Sequence, residues 1–208
     1  VPETVVLLHG IWMPRLVMWP LARSLQRCGY RTRLFGYPSL RVAPDRNAVR
    51  LAQFIRACDG RVHLVGHSLG GLVILHALRV DPDLVAGRIV LLGSPVNGSI
   101  VARRLQRFAW TRWLIGRASD QALLGDGPRW RGARPLGLIA GTRPHGIGRL
   151  LGGLTGDNDG TVTVAETALP KASASTTFPT THMGLVFSRR VAQSVCRFLE
   201  QGCFDAPC

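Results

Sequence analysis

Short apolar runs alternate along the chain with stretches whose apolar residues fall on one helical face. Thr4 to Leu8 is a Val-rich run too brief for a helix and broken by His9-Gly10, which predicts a buried strand. Leu16, Trp19, Leu21 and Leu25 suit one face of a helix from Leu16 to Cys28, stopped by Gly29. A strand is expected from Tyr30 to Tyr37, ending at Pro38. Asp45 is expected to cap a helix through Val49, Leu51, Phe54 and Ile55 to Cys58, closed by Gly60. Val62 to Val65 reads as the next strand, followed by Gly66 to Gly71 and an apolar helix to Val80 that Pro82 ends. Further strands are expected at Arg88 to Leu92, Pro135 to Gly141 and Ser175 to Phe178, and a closing amphipathic helix from Leu185 to Glu200. Strands alternating with helices predict the α/β class, with a mostly parallel sheet covered on both faces.

Residues 96–134 do not fit that alternation. They hold Trp110, Trp113 and Trp130 with Arg103, Arg104, Arg107, Arg112 and Arg117, and Ile100, Leu105, Phe108 and Ala109 can share a helical stripe that leaves arginines outward. The segment is read as a cap or lid over the sheet's top edge, inserted into a single domain spanning 1–208; a helix packed into the core is the alternative. A chain of 208 residues suits one domain, and 46% apolar against 18% charged residues supplies a core. Nowhere do apolar residues run together long enough to cross a membrane.

The formal net charge of +14 invites a nucleic-acid reading, and Lys171 is the only lysine among the cations. The arginines are scattered from Arg15 to Arg197 without a basic tail or an aromatic-basic alternation, so no nucleic acid is expected as a partner. What the charge does predict is attraction to anionic substrates or a transient contact with an anionic membrane surface. The sequence sets no oligomeric state. Of the five cysteines, Cys28 and Cys58 read as buried or free thiols in a reducing compartment, whereas Cys203 and Cys208 lie close enough in the tail to bridge if oxidised. No secretory h-region is visible, so a cytoplasmic location is the expectation; the start at Val1 leaves a removed leader open.

The chemistry concentrates at Gly66-His67-Ser68-Leu69-Gly70, a Gly-x-Ser-x-Gly placed where a strand turns into a helix. A serine in such a turn projects its hydroxyl clear of the sheet, and the helix that follows aims amides and a positive dipole end at the reacting centre. An idle serine in a nucleotide-binding turn fits less well, since no GxGxxG follows the first strand and no GxxxxGK[ST] occurs. A serine nucleophile needs a base, and the base an orienting acid; in this architecture the chain order is Ser, Asp or Glu, His. His182 is the one histidine after Asp159 and is the expected base. Asp159, which precedes Gly160 in a turn that can present a carboxylate at the sheet's edge, and its rival Asp157 are the candidate acids. His63 and His76 are read as packing or surface residues, and His67 as pointing away from the nucleophile. The amides of Ile11, after the first strand, and Leu69, after the nucleophile, are expected to form an oxyanion hole, each worth about 3 kcal/mol. Trp12 and Met183 are expected to touch substrate.

These residues together resemble the α/β-hydrolase superfamily, specifically small bacterial lipase- and esterase-like members. The likeness rests on Leu8-His9-Gly10, Gly66 to Gly70, Gly93-Ser94-Pro95 with Gly98-Ser99, and Asn158-Asp159-Gly160 placed 23 residues before His182. It implies a minimal α/β-hydrolase fold without two extra N-terminal strands. It also implies a serine esterase or lipase acting on small-molecule or lipid esters, with no cofactor. Some lipases hold calcium near the acid; Asp157 and Asp159 alone do not make such a site, and no metal is expected. A thioesterase, amidase or acyltransferase would use the same triad, and a non-catalytic scaffold docked on an anionic surface is the remaining alternative.

Overall fold

The computed structural model describes residues 2–204 apart from 85–86, 108–110, 120–121, 126, 129, 131, 133 and 151–152. Six strands, β1 (Thr4–Leu8), β2 (Arg31–Phe35), β3 (Val62–His67), β4 (Ile89–Leu92), β5 (Leu136–Gly141) and β6 (Ala174–Phe178), form one sheet in the order β2-β1-β3-β4-β5-β6. Every neighbouring pair is parallel. All strand C-termini therefore meet at one end, where the connecting loops bring functional groups together. The inner strands β1, β3, β4 and β5 are buried along their whole length, as strands covered on both faces must be. Edge strand β6 alternates instead, which is why its sequence Ala-Ser-Thr-Thr-Phe carries the weakest apolar signal.

The helices in chain order are α1 (Trp19–Arg27), α2 (Pro44–Arg56), α3 (Leu69–Val80), α4 (Ile100–Gln106), α5 (Arg112–Ile115), α6 (Ile147–Leu150), α7 (Val164–Thr167), α8 (Gly184–Phe187) and α9 (Arg189–Gln201). Strand alternation splits the core. Val6, Leu8 and Leu64 pack with Leu51 and Ile55 of α2 and Leu72 and Val73 of α3. Val5, Leu7 and Val65 face Leu21 and Leu25 of α1, Leu185 of α8, and Val195 and Phe198 of α9 on the other side. Helix α3 is buried from Leu69 to Leu78, so the segment after Ser68 is a central helix anchored on the sheet.

The observed elements differ from the expected ones in four ways. Asp45 does not cap α2; the N-cap is Ala43, and Pro44 starts the helix with its fixed φ, leaving Asp45 in the first turn. The closing helix is two, because Ser188 leaves the helical region and its hydroxyl accepts from Val191 N to start α9 afresh. In 96–134, α4 buries Val101, Ala102 and Leu105, while Ile100 is half-buried and Phe108, Ala109 and Trp110 lie outside the described residues. Cys28 is not a free thiol: it is bonded to Cys196, 168 residues away, because α1 and α9 pack side by side on one sheet face. Cys58 is free, and Cys203 is in a disulfide; Cys208 lies outside the described residues.

Candidate active site

Ser68 stands between β3 and α3 with φ 53° and ψ −121°, a conformation that costs a non-glycine residue about 1–3 kcal/mol. The tightness of the turn explains its glycines. A Cβ on Gly66 would stand 2.6 Å from Gly71 N, and one on Gly70 would stand 2.7 Å from the carbonyl oxygens of Leu8 and His9. Those contacts fix strand, turn and helix against β1; Gly71 N donates to Ser68 O at 3.1 Å, and the earlier amides of α3 have no intrahelical acceptor. Leu69 N–H is one of them.

The carboxylate and the imidazole come from the loops after β5 and β6. Asp159 is 1% exposed. Its Oδ1 accepts from Thr161 N (3.0 Å) and Val162 N (2.8 Å), and its Oδ2 lies 2.7 Å from His182 Nδ1. An ionised carboxylate only accepts, so Nδ1 carries the proton and Nε2 is left as the basic atom. The main chain repeats the tie, His182 N donating to Asp159 O at 2.9 Å. Its rival Asp157 is exposed and contributes only its carbonyl, to Val164 N. Ser68 and His182 line one cavity of about 290 Å³, shared with Ile11, Trp12, His145 and Met183. A narrower apolar pocket of about 40 Å³ continues from Ser68 and Ile11 beneath the inserted segment, against Val101, Ala102, Leu105 and Ile115. A wider groove of about 770 Å³ along β5 and β6 is lined by residues such as Leu138, Leu169 and Thr176 and by none of these groups.

The loop after β1 is set by a second histidine. His9 Nδ1 donates to Gly10 O at 2.8 Å, and its ring stacks on Tyr37, whose hydroxyl donates to His9 O. In a trans peptide the carbonyl and the following N–H point oppositely, so pulling Gly10 O toward His9 turns Ile11 N–H the other way. Gly10 itself is required by proximity: its Cβ would stand 3.1 Å from Ser68 Cβ. Trp12, at φ 62°, donates its indole N–H to Leu114 O and so ties this loop to α5.

Two residues carry roles the sequence did not reveal. Gly93, noted only within its Gly-Ser-Pro segment, has φ +55°, and a Cβ there would stand 2.8 Å from Leu185 Cδ1, 3.1 Å from His182 Nδ1 and 3.2 Å from Asp159 Oδ2. Gly93→Ala is expected to lower kcat about 10- to 100-fold by displacing the imidazole, with KM changed far less. Steady-state kinetics on a soluble ester check this, and an unchanged kcat would contradict it.

His67, the residue before Ser68, is not idle. Its Nε2 donates to the His182 carbonyl at 3.0 Å, and the two rings lie 4.7 Å apart. Complete burial, then the neighbouring His182, push its pKa down to about 3. The unfolded chain takes up that proton near pH 6.5. Stability is therefore full above pH 6.5 and falls as pH drops toward 3, by up to about 1.4 kcal/mol per pH unit. His9 and His63, also lowered chiefly by burial, act in the same direction. Urea unfolding at pH 7 and pH 5 measures the slope, which His67→Asn should flatten; an unchanged slope would contradict the assignment.

Comparison with solved structures finds the same fold in several other proteins. The Bacillus licheniformis lipase BlEst2 in mature form superposes with a TM-score of 0.76 at 23% identity, over 96% of this chain and 91% of that one. The phospholipase PlaB of Legionella pneumophila gives 0.72 at 16%, over 96% of this chain and 60% of that one. The metagenomic carboxyl esterase MGS0156 gives 0.67 at 18%, over 95% and 75%. At these identities the likeness concerns the fold. No curated protein matches the chain by sequence. The family model described as the alpha/beta hydrolase family matches residues 5–196, nearly the whole chain and every element that carries the site, and the chain belongs to that family.

Proposed function

We propose that this chain is a serine hydrolase that cleaves carboxylic esters of small molecules or lipids through an acyl-enzyme. Ser68 Oγ attacks the acyl carbonyl as His182 Nε2 takes its proton. Asp159 holds the imidazole through Nδ1 and stabilises the imidazolium. The amides of Ile11 and Leu69 donate to the oxyanion. His182 then returns the proton to the departing alcohol, and water resolves the acyl group with His182 again as base. The narrow apolar pocket beside Val101 and Leu105 takes the acyl chain, and the wider cavity at Trp12 and Met183 takes the alcohol side.

The observation that carries this reading is the buried Asp159–His182 pair at 2.7 Å, opening on the same cavity as a serine held in strained backbone geometry. Hydrolysis of p-nitrophenyl esters by the unaltered chain, set against Ser68→Ala, tests it; equal rates from both would reject it. The Cys28–Cys196 bond favours an oxidising compartment over the cytoplasm expected from the sequence.

A further inference from the structure

Among the described residues, several of the large apolar side chains exposed on the surface share one end of the molecule. Trp12 and Met183 line the mouth of the Ser68 cavity. Leu16 (65% exposed) and Trp19 (52%) follow Trp12 on the way into α1, and Phe187 (54%) ends α8 four residues after Met183. Helices α1 and α8 pack together, and both begin where the parallel strands end, so the two segments form one rim. Single exposed apolar residues are ordinary, but a contiguous patch at the entrance to a cavity marks a contact surface.

Charge is divided along the same axis. The Arg–carboxylate pairs Arg56–Asp81, Arg61–Glu3 and Arg134–Asp83 all lie at the opposite end, where the strands begin. The rim end instead exposes Arg15, Arg41, Arg46, Arg143, Arg189 and Arg190, against Asp45 and Asp157. Arg23 lies over the Trp19 ring at 4.8 Å, an aromatic body with a cationic neighbour. Among the described residues no helix is long and apolar enough to cross a membrane; an apolar rim flanked by cations is suited to lying in the headgroup region of a lipid surface.

We propose that this rim docks the protein on an anionic phospholipid surface, with Leu16, Trp19 and Phe187 entering the headgroup region and the arginines around them facing lipid phosphates. The cavity mouth then opens onto the lipid. Trp113 (71% exposed) on α5 stands next to Leu114, whose carbonyl holds Trp12, and extends the rim toward residues 96–134.

Flotation with vesicles of phosphatidylcholine, with or without phosphatidylglycerol, tests the surface. The protein carries Ser68→Ala, so binding is read without lipid turnover and independently of the proposed catalysis. Binding is expected on the anionic vesicles, weakened by salt and absent on phosphatidylcholine alone. Trp19→Ser with Phe187→Ser should lower partitioning about tenfold, and Arg189→Gln with Arg190→Gln about fivefold per arginine. Val49→Ser with Val80→Ser, exposed positions on α2 and α3, should change nothing. Circular dichroism establishes that each variant is folded. Equal binding to both vesicle types, no binding to either, or the same loss in the Val49 and Val80 control would overturn the proposal.

Discussion

Ser68→Ala is expected to lower kcat on a soluble p-nitrophenyl ester by about 10⁴- to 10⁶-fold while leaving the urea unfolding midpoint close to that of the unaltered chain. The size of the effect follows from what the hydroxyl does. Without that hydroxyl the acyl-enzyme at Ser68 cannot form, so only the oxyanion donors and substrate binding remain, and these retain a residual rate over water. In the proposed mechanism the three groups act as a unit. Adding His182→Ala to Ser68→Ala should therefore cost almost nothing further, whereas independent contributions would multiply. Asp159→Asn keeps the shape but donates where Nδ1–H must be accepted, so it favours the wrong imidazole tautomer, with an expected loss of about 10⁴-fold.

Replacing both Cys28 and Cys196 with serine should destabilise the fold by about 4–5 kcal/mol, the upper part of the range for a single disulfide, because the bond closes a loop with a sequence separation of 168. The bond ties the end of α1 to the middle of α9, away from the cavity mouth. Activity in the absence of denaturant should then be nearly unchanged while the urea midpoint drops. The serine pair is preferable to a reducing agent, which would also act on the disulfide of Cys203. An unaltered midpoint would show that the unfolded chain is not constrained by this link.

The strand and helix order was legible because parallel strands buried on both faces write themselves as short apolar runs, as at Thr4–Leu8 and Leu136–Gly141. Ser68, Asp159 and His182 stood out as candidates for a related reason: in this architecture the three come in a set chain order, and glycine neighbours are forced by contacts of 2.6 to 2.7 Å at Gly66 and Gly70. Pairings distant in sequence left no such trace. Cys28 meets Cys196 only because two helices share a sheet face, and nothing in either segment's spacing announces it. Gly93 and His67 escaped for the same reason, since their partners, Asp159 and His182, arrive from loops after other strands. The inserted segment was legible only in outline: which of its residues face inward depends on where α4 meets the Ser68 cavity, and the helical stripe alone did not separate Val101 from Ile100.

Treating the purified chain with a fluorophosphonate and locating the adduct by peptide mass spectrometry tests the central claim most directly. A single phosphonyl group on Ser68, formed with loss of ester hydrolysis and greatly slowed in His182→Ala, is the predicted result. Full inhibition with the adduct on another residue, or persistent hydrolysis with Ser68 fully modified, would contradict it.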